Sequence, residues 1–164
     1  MSLKNVSLRR IAPFILMVLV LAACGAKPVT IADLPVYPNA TALNPGDDPI
    51  ADTLVENMAQ DAQIRTSVGV GGSVEQKAFS LPADASWDAL NKFFTDELTG
   101  NGWEAGMGGP GGNIAGDILN QVNADNDLFQ TTMFSKGKQV LTIMRVADPV
   151  DPASLYLIIS LSTN

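Results

Sequence analysis

The chain has 164 residues, ten Lys and Arg against seventeen Asp and Glu, one cysteine and no histidine, for a formal charge of −7. Without an imidazole, histidine triads and histidine-ligated metal or haem sites are excluded, and one cysteine excludes an intramolecular disulfide. The acidic balance repels nucleic acid and anionic lipid headgroups, which removes nucleic acid from the expected partners.

In chain order, a basic start (Lys4, Arg9, Arg10) leads into an apolar stretch from Ile11 to Ala23, the n-region and h-region of a secretory signal. The stretch is shorter than the roughly 20 residues a spanning helix needs. Leu21-Ala22-Ala23-Cys24 closes it, and this pattern resembles the lipobox of bacterial lipoproteins. The resemblance implies cleavage between Ala23 and Cys24, a diacylglycerol thioether on Cys24 and an acylated amine, hence a membrane anchor of two or more chains. Three domains of the sequence follow: signal peptide 1–23, lipidated cysteine and tether 24–33, and one folded domain 34–164. Loss of the signal leaves seven basic residues against seventeen acids, a net charge of −10.

Two prolines stiffen the run Leu34 to Ala40. Asp48 and Pro49 then predict a helix start, and Ile50, Leu54 and Met58 extend it to about Gln60. Ile64 to Val70 and Val74 to Leu81 read as two strands of a hairpin turning at Gly71-Gly72-Ser73. A second helix is predicted from Asp84 or Ser86 to Gly100-Asn101-Gly102, with Trp87, Leu90, Phe94 and Leu98 on its apolar face and Asp88, Lys92 and Asp96 on a solvated one. Trp103 opens a short strand, 106–112 is a Gly-rich loop, and Asn113 to Asn123 predicts a helix with Ile114, Ile118 and Val122 on one side. Leu128 to Ser135, Gln139 to Val146 and Ser154 to Leu161 predict three closing strands. In the last, Leu155, Leu157, Ile159 and Leu161 face the core, while Tyr156, Ser160 and Ser162 face a largely wet side. The expected class is α+β, an antiparallel sheet of about five to six strands with one or two helices packed on one face.

Each candidate site competes with a plainer structural role. Gly106, Gly108 and Gly111 satisfy G-x-G-x-x-G, yet the preceding strand is short and charged and Pro110 stiffens the turn, so a loop is expected and no cofactor. Asn123, Asp125 and Asp127 alternate like the first calcium-loop ligands, but Leu128 and Phe134 stand where a glycine and a bidentate Glu belong. A solvated loop is therefore expected, with cation binding as the alternative. Trp87, Phe93, Phe94 and Trp103 read as core, with Phe93 at its edge, and Tyr156 with Ile158 as a docking surface. A carboxylate enzyme would need acids such as Asp84, Glu104, Asp125 and Asp148 to converge.

The prolines and tyrosine of Leu34 to Ala40, the helix ending in Gly100-Asn101-Gly102-Trp103 and the meandering last strands are similar to a group of small bacterial envelope proteins. The resemblance implies an α+β fold and no activity. The function expected is a lipid-anchored, extracytoplasmic, non-catalytic domain for protein interaction, an accessory subunit of a membrane assembly. The alternative is a stand-alone module binding a small ligand or cation.

Overall fold

A computed structural model describes residues 27–67, 72–106, 119, 121–124 and 126–164, with the backbone alone over 61–67. The signal, Cys24, residues 68–71, the Gly-rich run after Gly106, residues 113–118 and Asp125 lie outside the described residues. In chain order the elements are β1 (Thr41–Leu43), α1 (Pro49–Ser67), β2 (Ser73–Leu81), α2 (Trp87–Gly100), β3 (Glu104–Ala105), β4 (Phe129–Lys136), β5 (Gln139–Ala147) and β6 (Leu155–Thr163). A 3-10 turn, Ile31–Asp33, precedes them. The sheet runs β1-β2-β6-β5-β4-β3, and every neighbouring pair is antiparallel. The class is α+β, as expected.

Each helix starts where a short oxygen-bearing side chain meets the first orphaned amides. Asp48 Oδ1 accepts from the Ile50 and Ala51 N–H groups at 2.8 and 3.0 Å, with Pro49 in the first turn. For α2 the cap is Ser86, whose hydroxyl accepts from Ala89 N–H. At its far end Gly102 turns the chain at φ +79°, and Leu98 O accepts from the Asn101 and Trp103 N–H groups. Lys92 pairs with Asp96 at 2.7 Å, and both are well exposed.

The strand predicted from Ile64 is corrected: Ile64 to Ser67 continue α1. Helix propagation gains one backbone bond per added residue once the first turns are nucleated, and this outweighs the strand propensity of Ile64 and Thr66. Only residues 73–81 of the predicted hairpin are a described strand. Gly72 enters it so close to the end of β6 that a Cβ there would strike the Thr163 carbonyl.

β6 lies at the middle of the sheet, and each of its faces has a core. Leu155, Leu157, Ile159 and Leu161 join Phe79, Leu81, Phe134, Leu141 and Ile143 beneath Leu90, Phe94 and Leu98 of α2. On the other side Tyr156 and Ile158 join Ala78 and Met144 beneath Ala51, with Ile50, Leu54, Val55 and Met58 of α1 packed around them. Packing on one face thus holds for α2, while α1 covers the opposite face. The side of β6 expected to be wet is buried, Ser160 included, and the docking surface of Tyr156 and Ile158 is occupied by the protein's own helix.

Residues 29–33, assigned to the tether, are docked on the sheet. The Gln139 amide receives the Val29 N–H at 2.9 Å and donates to the Val29 carbonyl at 2.7 Å. Asp33 closes a capping box with Thr30, and Glu75 accepts from the Ile31 N–H at 3.2 Å.

Candidate functional site

Along β5, Leu141, Ile143 and Ala147 point into the α2 core, and Arg145 stands in phase with them. A cation at a core position is the feature from which the candidate site is built. Directly across the strand pair stands Gln130, whose Oε1 accepts from Arg145 Nη1 at 3.0 Å. Nη1 also donates to the Asp127 carbonyl at 3.2 Å, and Nε donates to the Ala85 carbonyl at 3.1 Å. The guanidinium is therefore held by neutral oxygens; among the described residues the one ion pair within 4.0 Å is Lys92 with Asp96. Burial pulls the Arg145 pKa down and the nearby Asp127 charge opposes this, although an arginine stays charged at any ordinary pH.

The guanidinium opens on a cleft of about 580 Å³ between the start of α2, the helical residues 121–124 and the ends of β4 and β5. Trp87, Asp88 and Asn91 form one wall; Asn123 and Asp127 form the other. Near its lining residues in sequence, Val122, Leu128 and Phe129 are between 38% and 50% exposed; Phe129, alternating with Gln130 along β4, lies on the opposite face of the sheet. A second hollow of about 490 Å³ lies between α1 and the β1–β2 edge, around Ala51, Val55 and Leu43, and collects fewer polar groups.

Asn123 is buried and committed to β4. Its Nδ2 donates to the Thr131 carbonyl at 2.6 Å and its Oδ1 accepts from the Thr131 N–H at 2.8 Å, a side-chain imitation of a neighbouring strand. Gln130 Nε2 returns a bond to the Asn123 carbonyl at 3.3 Å. Of the calcium-like trio, Asn123 spends its amide on this edge, Asp127 offers its carbonyl to Arg145, and Asp125 lies outside the described residues. Among the described residues no group of three or more His, Cys, Asp or Glu side chains is gathered to hold a metal ion.

Of the acids named for carboxylate chemistry, Glu104 and Asp148 stand at opposite ends of the sheet, and Asp125 lies outside the described residues. Glu104 stands opposite Ser135, which pairs with Val140 near the start of β5, whereas Asp148 follows Ala147 at its other end. Asp148 Oδ1 accepts from the Val150 N–H and shapes that loop. Of the aromatics, Phe94 and Trp103 are core, Trp87 is half-buried at the cleft, and Phe93 stacks edge-on with Tyr37 and Phe94 at 5.4 and 5.1 Å. Phe93 thus secures the proline-rich lead-in against α2. The Gly106 N–H donates to Met133 O, and the rest of the G-x-G-x-x-G run lies outside the described residues.

Neither Arg145 nor Gln130 belongs to a recognisable motif in the sequence. The signal available was phase: an arginine two residues after Ile143 and two before Ala147 breaks a core-facing row. No protein family, characterised protein or solved structure matches the chain.

Proposed function

We propose that the chain is a lipid-anchored extracytoplasmic protein whose folded domain makes protein contacts without catalysis, as an accessory subunit of a membrane assembly. The observation that carries this reading is the open Arg145 cleft with its polar walls. A half-buried cation beside Trp87 and side-chain amides offers directional bonds, and the exposed Val122 and Leu128, next in sequence to the lining residues Asn123 and Asp127, offer apolar surface that gains from being covered. Open clefts of this composition suit a protruding segment of another protein, with an acidic side chain or chain end meeting the guanidinium. The lipobox resemblance supports the anchor through Cys24.

The test is the native mass of the chain extracted from its own membrane in mild detergent, with co-purifying chains identified. A particle of fixed stoichiometry that is lost on Arg145→Glu is the expected result; a lone lipidated chain overturns the subunit reading. The cleft's volume also falls in the range of small-molecule sites, roughly 300–1,000 Å³. A single chain whose melting temperature rises with an added small ligand, and not in Arg145→Glu, would favour the stand-alone binding module.

A further inference from the structure

We propose that the end of the sheet carrying the β4–β5 turn rests on the anionic lipid surface, so that the Arg145 cleft points away from the membrane. The proposal rests on the lipid anchor at Cys24 and adds to it a defined orientation.

The first argument is reach. Val29 is pinned to Gln139 by a pair of hydrogen bonds, and Gln139 Nε2 also donates to Thr163 Oγ1 at 3.0 Å. Four residues separate Cys24 from Val29, and the five steps between them, at about 3.6 Å each, span at most ~18 Å. The pinning point lies at the first residue of β5. Val150, 90% exposed, lies past its last. The nine residues of β5 cover roughly 27 Å, so the anchored end is held close to the bilayer and the cleft end is displaced by the length of a strand.

The second argument is charge, which decides the sense of any tilt that the tether permits. The anchored end carries Lys27, Lys136 and Lys138, and Lys136 reaches the Asn101 carbonyl at 2.7 Å. The acids near it, Asp33, Glu75, Glu104 and Glu97 in the last turn of α2, keep their charges, so this end is close to neutral. At the other end Asp47, Asp48 and Asp52 at the start of α1 join Asp127, Asp148 and Asp151, with Arg145 as the cation of that end among the described residues. An anionic membrane therefore repels the cleft end much more strongly than the end carrying the lysines, over a range of about 8 Å at physiological salt.

The experiment uses the full lipidated chain in vesicles of phosphatidylglycerol and phosphatidylethanolamine that carry a headgroup-linked nitroxide quencher. Cys24 is the sole natural cysteine and its sulfur is alkylated in the anchor, so Asn164→Cys and Val150→Cys each supply one labelling thiol. Asn164 belongs to the anchored end, where its N–H donates to the Lys138 carbonyl. Quenching several-fold stronger at position 164 than at 150, with the difference reduced by Lys138→Glu, is expected. Equal or reversed quenching on a chain that floats with the vesicles overturns the orientation and leaves the anchor standing. A chain that stays with the soluble fraction, with an unmodified Cys24 by mass spectrometry, overturns the anchor and the orientation with it.

Discussion

At the scale of single residues, two side chains settle problems that the backbone leaves open. Asn123 supplies the donor and acceptor that Thr131 would otherwise seek from another strand, and so closes part of the β4 edge. Asn123→Ala should cost about 1–3 kcal/mol in urea unfolding and raise the tendency to aggregate, because a buried N–H and C=O lose their partners. Asn123→Asp should fall between the two, since a carboxylate still accepts from Thr131 N–H but cannot donate to its carbonyl. The second is Tyr156, whose hydroxyl donates to Asp48 Oδ2 at 3.0 Å. Burial, then the bond to Asp48, pushes its pKa from 10.0 to about 12. The folded state therefore holds that proton when the unfolded state has lost it, and stability should fall as pH rises from 10 towards 12. Asp48 behaves oppositely: the Ala51 N–H, then the Tyr156 hydroxyl and Ile50 N–H, hold its carboxyl below 3.8, and stability should fall as pH drops through the acid range below that value. Tyr156→Phe should abolish the alkaline loss and cost about 1 kcal/mol at neutral pH, measured by denaturant midpoints across pH.

Among the elements, α1 is the one whose placement changes the molecule most. It turns a sheet with one dry face into a sheet dry on both sides of β6, and Ala51, 1% exposed, is its most deeply buried described side chain. A small residue there lets the helix backbone sit on Ala78 and Ile158. Ala51→Leu should therefore cost about 1–3 kcal/mol by overpacking, read as a lowered unfolding midpoint, whereas the same change at a solvated α1 position should be close to neutral. On the opposite face α2 behaves as its apolar period requires, since Leu90, Phe94 and Leu98 recur every four residues and are fully buried. Its charged face contributes little: the exposed Lys92–Asp96 pair is worth a few tenths of a kcal/mol at most, about the range of surface i,i+4 pairs.

For the molecule as a whole, both cores share β6, so neither helix can leave without exposing the strand on which the other packs. Unfolding should be a single transition. Trp87 at the cleft and Trp103 just past the last turn of α2 report from opposite ends of that helix, and their fluorescence should change at the same denaturant concentration as the far-ultraviolet circular dichroism. Separate midpoints would show that the two faces fold independently. The same shared strand keeps the cleft and the β4–β5 turn in a fixed relation at opposite ends of the sheet.

Much of this architecture was legible in the residues. The three-to-four periodicity of α2 is a local pattern with one physical solution, the leucine row of β6 faces the α2 core as its alternation requires although the opposite row is buried as well, and the Asp48-Pro49 and Ser86 starts are set by which side chains can accept from free amides. The candidate site was less legible, because Arg145, Gln130 and Asp127 become neighbours through strand register, and register is a property of the pairing and not of any one segment. The segment from Ile64 was misread for a related reason: a short apolar alternation fits helix or strand until its neighbours decide. The sequence by itself determined the α+β class, the caps, the core-facing rows and the absence of imidazole and disulfide chemistry, since these follow from residue type and spacing. Tertiary structure alone decided that α1 covers the second face, that Asn123 closes an edge and that a core-phase arginine opens on a cleft, because each depends on groups far apart in the chain being brought within bonding distance.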